Sequence, residues 1–145
     1  MKHLMAVSVL SLLGIFVALY LLLWKIGVLG DLSCTTDGCE TVQTSAYSDF
    51  LGVPVALYGV VGFAALFVVS LLGLQPRWLE RREPTILVTA LSGIGLAFSA
   101  YLTYLEAWVI HAWCQWCVAS AVIIAVIFAL SLLGSLIWQN SETEA

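Results

Sequence analysis

The chain has 145 residues, of which 62% are hydrophobic and 10% are charged, and its formal net charge is −4. Soluble domains carry charge on about a quarter of their residues, so this composition excludes a soluble fold. The residues indicate instead a chain that lies mostly within a lipid bilayer.

Four apolar runs follow one another, and each reaches the roughly 20 residues that cross a hydrocarbon core as a helix. Each run must be helical, because backbone polar groups in lipid are satisfied only within the segment. We therefore predict an all-α integral membrane protein with four transmembrane helices, forming a single domain over residues 1–145 without an attached soluble domain. The predicted spans are residues 4–24, 55–74, 86–105 and 113–138.

The first run also has one feature of a cleaved signal peptide, a short positive segment at residues 1–3. Its apolar stretch is longer than the about 7–15 residues of a signal peptide, and no small-x-small cleavage site follows it. A retained first span is therefore favoured.

The positions of lysine and arginine predict the orientation, because these residues are concentrated in cytoplasmic loops. With both termini in the cytoplasm, Lys25 is the one basic residue outside. The basic residues inside are Lys2, Arg77, Arg81 and Arg82. This orientation places the loop 25–54, the turn 106–112 and all four cysteines on the periplasmic, oxidising side of a bacterial inner membrane.

The outer loop begins with turn-forming residues around Cys34, and apolar residues recur at helical spacing after Cys39. We expect residues 40–51 to form a short amphipathic helix on the membrane surface, as a lid over the outer end of the bundle. Gly52 and Pro54 would end this helix and begin the second span.

Two cysteine pairs carry most of the chemical information in the sequence. Cys34 and Cys39 lie in the outer loop, whereas Cys114 and Cys117 form a C-x-x-C at the head of the fourth span. Residues three apart share a helical face, so the second pair can exist as a disulfide or a dithiol. A helix N-terminus also favours the thiolate of a cysteine such as Cys114, and the thiolate is the form that exchanges disulfides.

These thiols favour a redox relay, but two other interpretations stay open on the residues alone. The pairs resemble a four-thiolate site in a protein that binds or transports metal ions, although a C-x4-C pair at a membrane surface is unlike a zinc knuckle. They are also compatible with two structural disulfides that only stabilise the bundle.

A relay in a bilayer needs an electron acceptor, and the sequence contains no Rossmann glycine pattern, haem motif or iron–sulfur spacing. A lipid-soluble quinone is the natural candidate. Aromatic residues at the outer ends of the third and fourth spans can line a pocket for its ring, although interfacial anchoring is their commoner role. These residues are Phe98, Tyr101, Tyr104, Trp108, Trp113 and Trp116.

Small residues in the second and third spans are interpreted mainly as helix contacts, because small side chains let helices in a membrane approach closely. They are Gly59, Gly62, Gly95 and Ser99. Room for a ligand is the second interpretation.

Five segments of the chain, taken together, place the loop cysteines, the loop serine, a Gly-x-Pro and a late C-x-x-C in a specific order. They are residues 33–34, 39–48, 51–59, 101–106 and 114–120 (SC, CETVQTSAYS, LGVPVALYG, YLTYLE and CQWCVAS). Together they resemble the vitamin K epoxide reductase family in its bacterial branch, and the resemblance covers nearly the whole chain. It implies a thiol oxidoreductase that generates disulfides and uses a quinone as acceptor.

The resemblance also implies a role for each cysteine. Cys114 and Cys117 would form the active-site disulfide, with Cys117 facing the quinone. Cys34 would pass electrons to Cys114, and Cys39 would exchange disulfides with a separate thioredoxin-fold or DsbA-like protein. Ser45 matches the family's loop serine near the cysteines.

The expected acceptor is ubiquinone, menaquinone or a similar quinone, and no nucleic acid is expected as a partner. The residues expected to bind the quinone, beside Cys117, are Trp113, Trp116, Tyr101 and Tyr104. The chain departs from the family at two points, the short C-x4-C spacing of the loop pair and Ala121, where animal members carry a tyrosine. In a bacterial setting, quinone reduction is a better expectation than epoxide reduction.

Overall fold

The structure, a computed structural model, describes residues 2–25, 49–50, 52–77, 83–110 and 115–144. These residues form four long helices, one short hairpin and one π-helical segment. In chain order they are α1 (Lys2–Lys25), β1 (Asp49–Phe50), β2 (Val53–Pro54), α2 (Val55–Gly73), α3 (Glu83–Tyr104), the π-helical segment (Leu105–Ile110) and α4 (Gln115–Glu144).

The four helices are long and apolar enough to cross a membrane, which confirms the predicted four-helix bundle of a multi-pass membrane protein. The segments that qualify are His3–Lys25, Val55–Gly73, Glu83–Val109 and Gln115–Ile137. Each helix packs on two neighbours, in the order α1, α2, α3, α4 and back to α1. The contact between α2 and α3 is the least extensive of the four.

The bundle has two ends, the Cys117 end and the His3 end. At the Cys117 end, α1 and α3 finish while α2 and α4 begin, with Cys117 in the first turn of α4. At the His3 end, the first turn of α1 lies against α3 and α4, since His3 Nε2 is 3.3 Å from Thr85 Oγ1 and its ring lies beside Gly134.

The third and fourth helices extend further than predicted. The turn expected at residues 106–112 continues the helix as a π-helical segment as far as Ile110, and α4 continues to Glu144 instead of stopping near Trp138. No glycine or proline lies between Gly95 and Gly134, so no residue in this stretch breaks a helix by its backbone preference.

A hairpin precedes α2 where the end of a surface helix was expected. Asp49 pairs with Pro54 and Phe50 pairs with Val53 in antiparallel register. Gly52 has a φ of 78°, which a glycine adopts readily. The predicted helix is therefore wrong at residues 49–50, and the rest of it, residues 40–48 and 51, lies outside the described residues. The helix α2 does begin directly after Pro54.

The centre of the bundle is closely packed. Val7, Leu66, Val88 and Ile127 supply one apolar side chain from each helix, and each is at most 2% exposed. Such side chains interdigitate with few voids, so the four helices are in close contact where these side chains meet.

Serine hydroxyls join the helices in pairs near this core. The hydroxyls of Ser8 on α1 and Ser70 on α2 lie 2.9 Å apart, and those of Ser92 on α3 and Ser131 on α4 lie 3.5 Å apart. All four are buried and also approach a carbonyl one turn back in their own helix. Polar contacts between membrane helices contribute about 0.6 kcal/mol each on average.

Close approach of α1 and α2 depends on Gly14. A Cβ atom at this position would overlap the ring of Phe63, which is itself only 6% exposed. At Gly62 the situation is the opposite, because an added Cβ would meet no atom within 4 Å.

We predict that Gly14→Ala and Gly62→Ala have opposite effects on stability. Alanine in an exposed helix position is more stable than glycine by roughly 0.5–1 kcal/mol, so Gly62→Ala should raise the thermal midpoint in detergent. Gly14→Ala should lower it, because overpacking destabilises a core by about 1–3 kcal/mol. Circular dichroism of both purified variants measures the two midpoints, and equal midpoints would contradict the close contact.

Candidate functional site

A cavity of about 420 Å³ lies in the half of the bundle towards the Cys117 end. All four helices contribute to its wall. Residues between positions 55 and 66 line it on α2 and residues between 91 and 103 on α3, while α1 and α4 add Ala18, Leu21, Cys117, Ser120 and Ile124. Pockets for small molecules typically have about 300–1,000 Å³, so the cavity has room for a ligand.

We infer that the mouth of the cavity lies between α2 and α3, on the outer surface of the bundle. Ile94 lines the cavity yet is 69% exposed, and Gly62 on the opposite side is also exposed. The same two helices make the least extensive contact in the bundle. The exposed wall residues and the small contact area both indicate an opening on this side of the bundle.

Three glycines line the cavity, and they do not all have the same role. Added Cβ atoms at Gly59 and Gly95 would lie 3.3 Å from Ala18 and 3.2 Å from Ile124, so both positions are helix contacts as well as wall. Gly62 has no such neighbour, and its missing side chain contributes open space at the mouth.

Two aromatic rings from facing helices lie at the wall. The ring centroids of Tyr58 on α2 and Phe98 on α3 are 6.2 Å apart with an interplanar angle of 59°. This tilted arrangement is favourable for aromatic pairs. It gives the cavity a partly aromatic wall that suits a planar ligand.

The polar atoms of the wall are few, and they include one sulfur and several hydroxyls. Cys117 is partly buried and contributes the thiol. Thr103 donates its hydroxyl hydrogen to the Ser99 carbonyl at 2.8 Å, and Ser120 donates to the Trp116 carbonyl at 3.1 Å. Cavities that bind cofactors commonly combine an apolar wall with a small number of such groups.

Trp116 fixes the first turn of α4 against α1. Its ring lies 5.0 Å from that of Tyr20, and both pack against the small cluster of Leu21 and Ala56. Successive residues of an α-helix are about 100° apart around its axis. With Trp116 held on α1, Cys117 is turned towards the cavity.

The described residues that were predicted to bind a ligand ring beside Cys117 do not line the cavity. Trp116 is not in the cavity wall, and Tyr101 and Tyr104 are 50% and 57% exposed on the outside of α3. Trp113 and the remaining predicted residues, Cys34, Cys39, Ser45 and Cys114, lie outside the described residues. Their predicted roles therefore stay predictions.

The structure also identifies wall residues that the sequence did not single out. Tyr58, Thr103 and Ser120 line the cavity, as do Ser99 and the glycines that were interpreted mainly as helix contacts. Their signal in the sequence is a polar or small residue on the inner face of an apolar span. That signal is weak, because the same residues also serve helix packing.

The fold and this cavity define a multi-pass membrane protein in which a cysteine lines an apolar cavity within the helix bundle. A sequence model of the vitamin K epoxide reductase family matches residues 5–132, and the chain therefore belongs to that family. Membership implies, in general terms, a quinone-linked thiol oxidoreductase.

We predict that Cys117, left as the sole cysteine by Cys34→Ser, Cys39→Ser and Cys114→Ser, reacts with N-ethylmaleimide much faster than with a sulfonated maleimide. A charged group in an apolar membrane site is unfavourable by a few kcal/mol, so the charged reagent should be about tenfold slower or more. Mass spectrometry of the intact protein follows both reactions. The same protein unfolded in dodecyl sulfate is the control, and similar rates in the native protein would contradict the position of this thiol.

Proposed function

We propose that this protein oxidises the thiols of a separate thioredoxin-fold protein and passes the electrons to a membrane quinone. It thereby generates disulfide bonds on the periplasmic side of a bacterial inner membrane. The observation that carries this proposal is the position of Cys117 in the wall of an apolar cavity that opens to the lipid. Family membership supports the class of reaction.

The first exchange in the proposed relay occurs between two proteins. A thiolate of the partner attacks Cys39 of a Cys34–Cys39 disulfide and releases Cys34 as a thiolate. The second thiolate of the partner then attacks the mixed disulfide and releases Cys39. One disulfide is broken for each one formed, so the partner leaves oxidised and the loop pair is left as a dithiol.

The second exchange occurs within the chain. The Cys34 thiolate attacks Cys114 of a Cys114–Cys117 disulfide and releases the thiolate of Cys117. Cys39 then attacks Cys34, which restores the loop disulfide and leaves Cys114 and Cys117 as a dithiol. The electron pair has thus moved from the outer loop to the sulfur that faces the cavity.

The residues of the cavity suit a quinone. Its apolar wall matches a quinone ring, the aromatic pair Tyr58 and Phe98 offers ring faces and edges, and the lateral mouth leaves room for an isoprenoid tail in the lipid. Bound there, a quinone supplies an acceptor for the two electrons and two protons released when the Cys114–Cys117 disulfide re-forms. The chain's own contribution is to hold Cys117 at the wall and to limit access of water.

The relay is tested anaerobically with purified protein, a membrane quinone and a reduced thioredoxin-fold donor, by following quinone absorbance. The wild-type protein should convert quinone to quinol with one donor disulfide formed per quinol. Cys39→Ser and Cys117→Ser should each abolish the reaction, because each removes one end of the relay. Normal quinone reduction by Cys117→Ser would exclude the proposed path.

A second measurement separates the two ends. In Cys117→Ser the donor should still exchange with the loop pair and be trapped as a mixed disulfide on non-reducing gels, whereas in Cys39→Ser it should not. Stoichiometric binding of a soft metal ion that protects all four thiols, without any trapped donor, would favour a metal-binding protein instead.

We predict that Gly62→Met weakens use of the quinone without affecting the donor. The added side chain enters open space at the mouth of the cavity, so it should raise the KM for quinone by about tenfold or more, equivalent to about 1.4 kcal/mol. Steady-state kinetics with each substrate varied in turn measure this. Val61→Met is the matched control, because Val61 is 61% exposed and lies outside the cavity wall. Equal effects of the two variants would contradict quinone entry between α2 and α3.

A further inference from the structure

Hydroxyl groups in the helices of this protein commonly donate to their own backbone. In the described part of the chain, Thr89, Thr103 and Ser120 donate to carbonyls four residues earlier. Ser8, Ser70, Ser92 and Ser131 lie within hydrogen-bond distance of a carbonyl three or four residues earlier and also of a serine hydroxyl on the neighbouring helix. A hydroxyl has one hydrogen, so a group that donates in this way can offer a ligand only its lone pairs.

Ser99 departs from this pattern within the cavity. It lines the wall and is half-buried, and among the described residues its hydroxyl makes no hydrogen bond. Its backbone carbonyl is the acceptor for Thr103. Thr103 and Ser120 have their hydroxyl hydrogens directed at the backbone, so Ser99 differs from both in keeping a hydrogen that can be given to a ligand.

The oxidised and reduced forms of a quinone need different hydrogen-bonding partners. Its carbonyl oxygens only accept hydrogen bonds, whereas the hydroxyls of the quinol also donate. A donor in a low-dielectric cavity therefore orients the oxidised form, and acceptors such as Thr103 and Ser120 serve the reduced form. In an apolar wall few other groups compete for either role.

We propose that Ser99 is the residue that binds and orients the oxidised quinone, by donating a hydrogen bond to one of its carbonyls. This inference rests on the proposed function, because it takes a quinone as the occupant of the cavity. Ser99 and Cys117 both line the cavity, from the neighbouring helices α3 and α4. A ring tethered there is held from α3, the neighbour of the helix that carries the thiol.

The test compares binding of two ligands of the same shape, without turnover. One is a naphthoquinone with methyl groups at both free positions of its quinone ring, which prevents addition of thiols. The other is the matching dimethylnaphthalene, which lacks the carbonyls. Isothermal titration calorimetry of the oxidised protein in detergent should show that Ser99→Ala weakens quinone binding about three- to tenfold, the range expected for one hydrogen bond. Binding of the hydrocarbon should not change.

Two further variants make the comparison specific. Thr89→Val removes a hydroxyl from α3 outside the cavity, and it should bind both ligands as the wild type does. Tyr58→Phe removes another hydroxyl from a wall residue. If Tyr58→Phe loses the quinone-specific affinity and Ser99→Ala does not, the assignment to Ser99 is wrong.

Failure of the inference and failure of the proposed function give different results. Equal losses for quinone and hydrocarbon in Ser99→Ala would overturn the hydrogen bond, because they would indicate a change of cavity shape. Quinone binding with a Ser99-specific loss but no turnover with any donor would support Ser99 and contradict the thiol relay. A wild-type protein that binds neither ligand would overturn both.

Discussion

The close packing of helices in the middle of the bundle and towards the His3 end is the constraint on which the rest of this structure depends. Lipid tails are as apolar as the side chains they would replace, so burial of apolar surface alone does not hold membrane helices together. Here the contact of Gly14 with Phe63 and the hydroxyl pairs Ser8–Ser70 and Ser92–Ser131 supply short-range packing. They join α1 to α2 and α3 to α4, and the contact of Trp116 with Tyr20 joins α4 to α1. The α2–α3 contact is the least extensive of the four.

The cavity follows from that arrangement. In the half of the bundle towards the Cys117 end, small residues replace interlocking side chains on α2 and α3, and Gly62 in particular leaves open space. A bundle that is closed at one end and looser at the other can hold a ligand without losing its helix contacts. Because the opening faces lipid, the fold itself favours a ligand that dissolves in the bilayer.

The sequence predicts the spans well, since about 20 apolar residues in a row have only one structural solution in lipid. It predicts the ends less well. The stretch after Tyr104 continues as a π-helical segment although its composition allows a turn, and the hairpin at Asp49–Phe50 depends on a backbone turn at Gly52. The cavity is harder still, because Gly59 and Gly62 look alike in the sequence. The difference depends on the neighbouring helix, because Ala18 faces Gly59 and no atom lies within 4 Å of a Cβ added at Gly62.

Electron transfer from a water-soluble donor to a lipid-soluble acceptor needs one sulfur that stays with the lipid phase and another that meets water. The contact of Trp116 with Tyr20 ties the first turn of α4 to α1, and the helical rotation of about 100° per residue then turns Cys117 into the cavity. A thiol placed by its neighbour in this way need not move during the cycle. In the proposed relay, exchange with the water-soluble donor falls to the loop pair, Cys34 and Cys39, which lie before the hairpin in the chain.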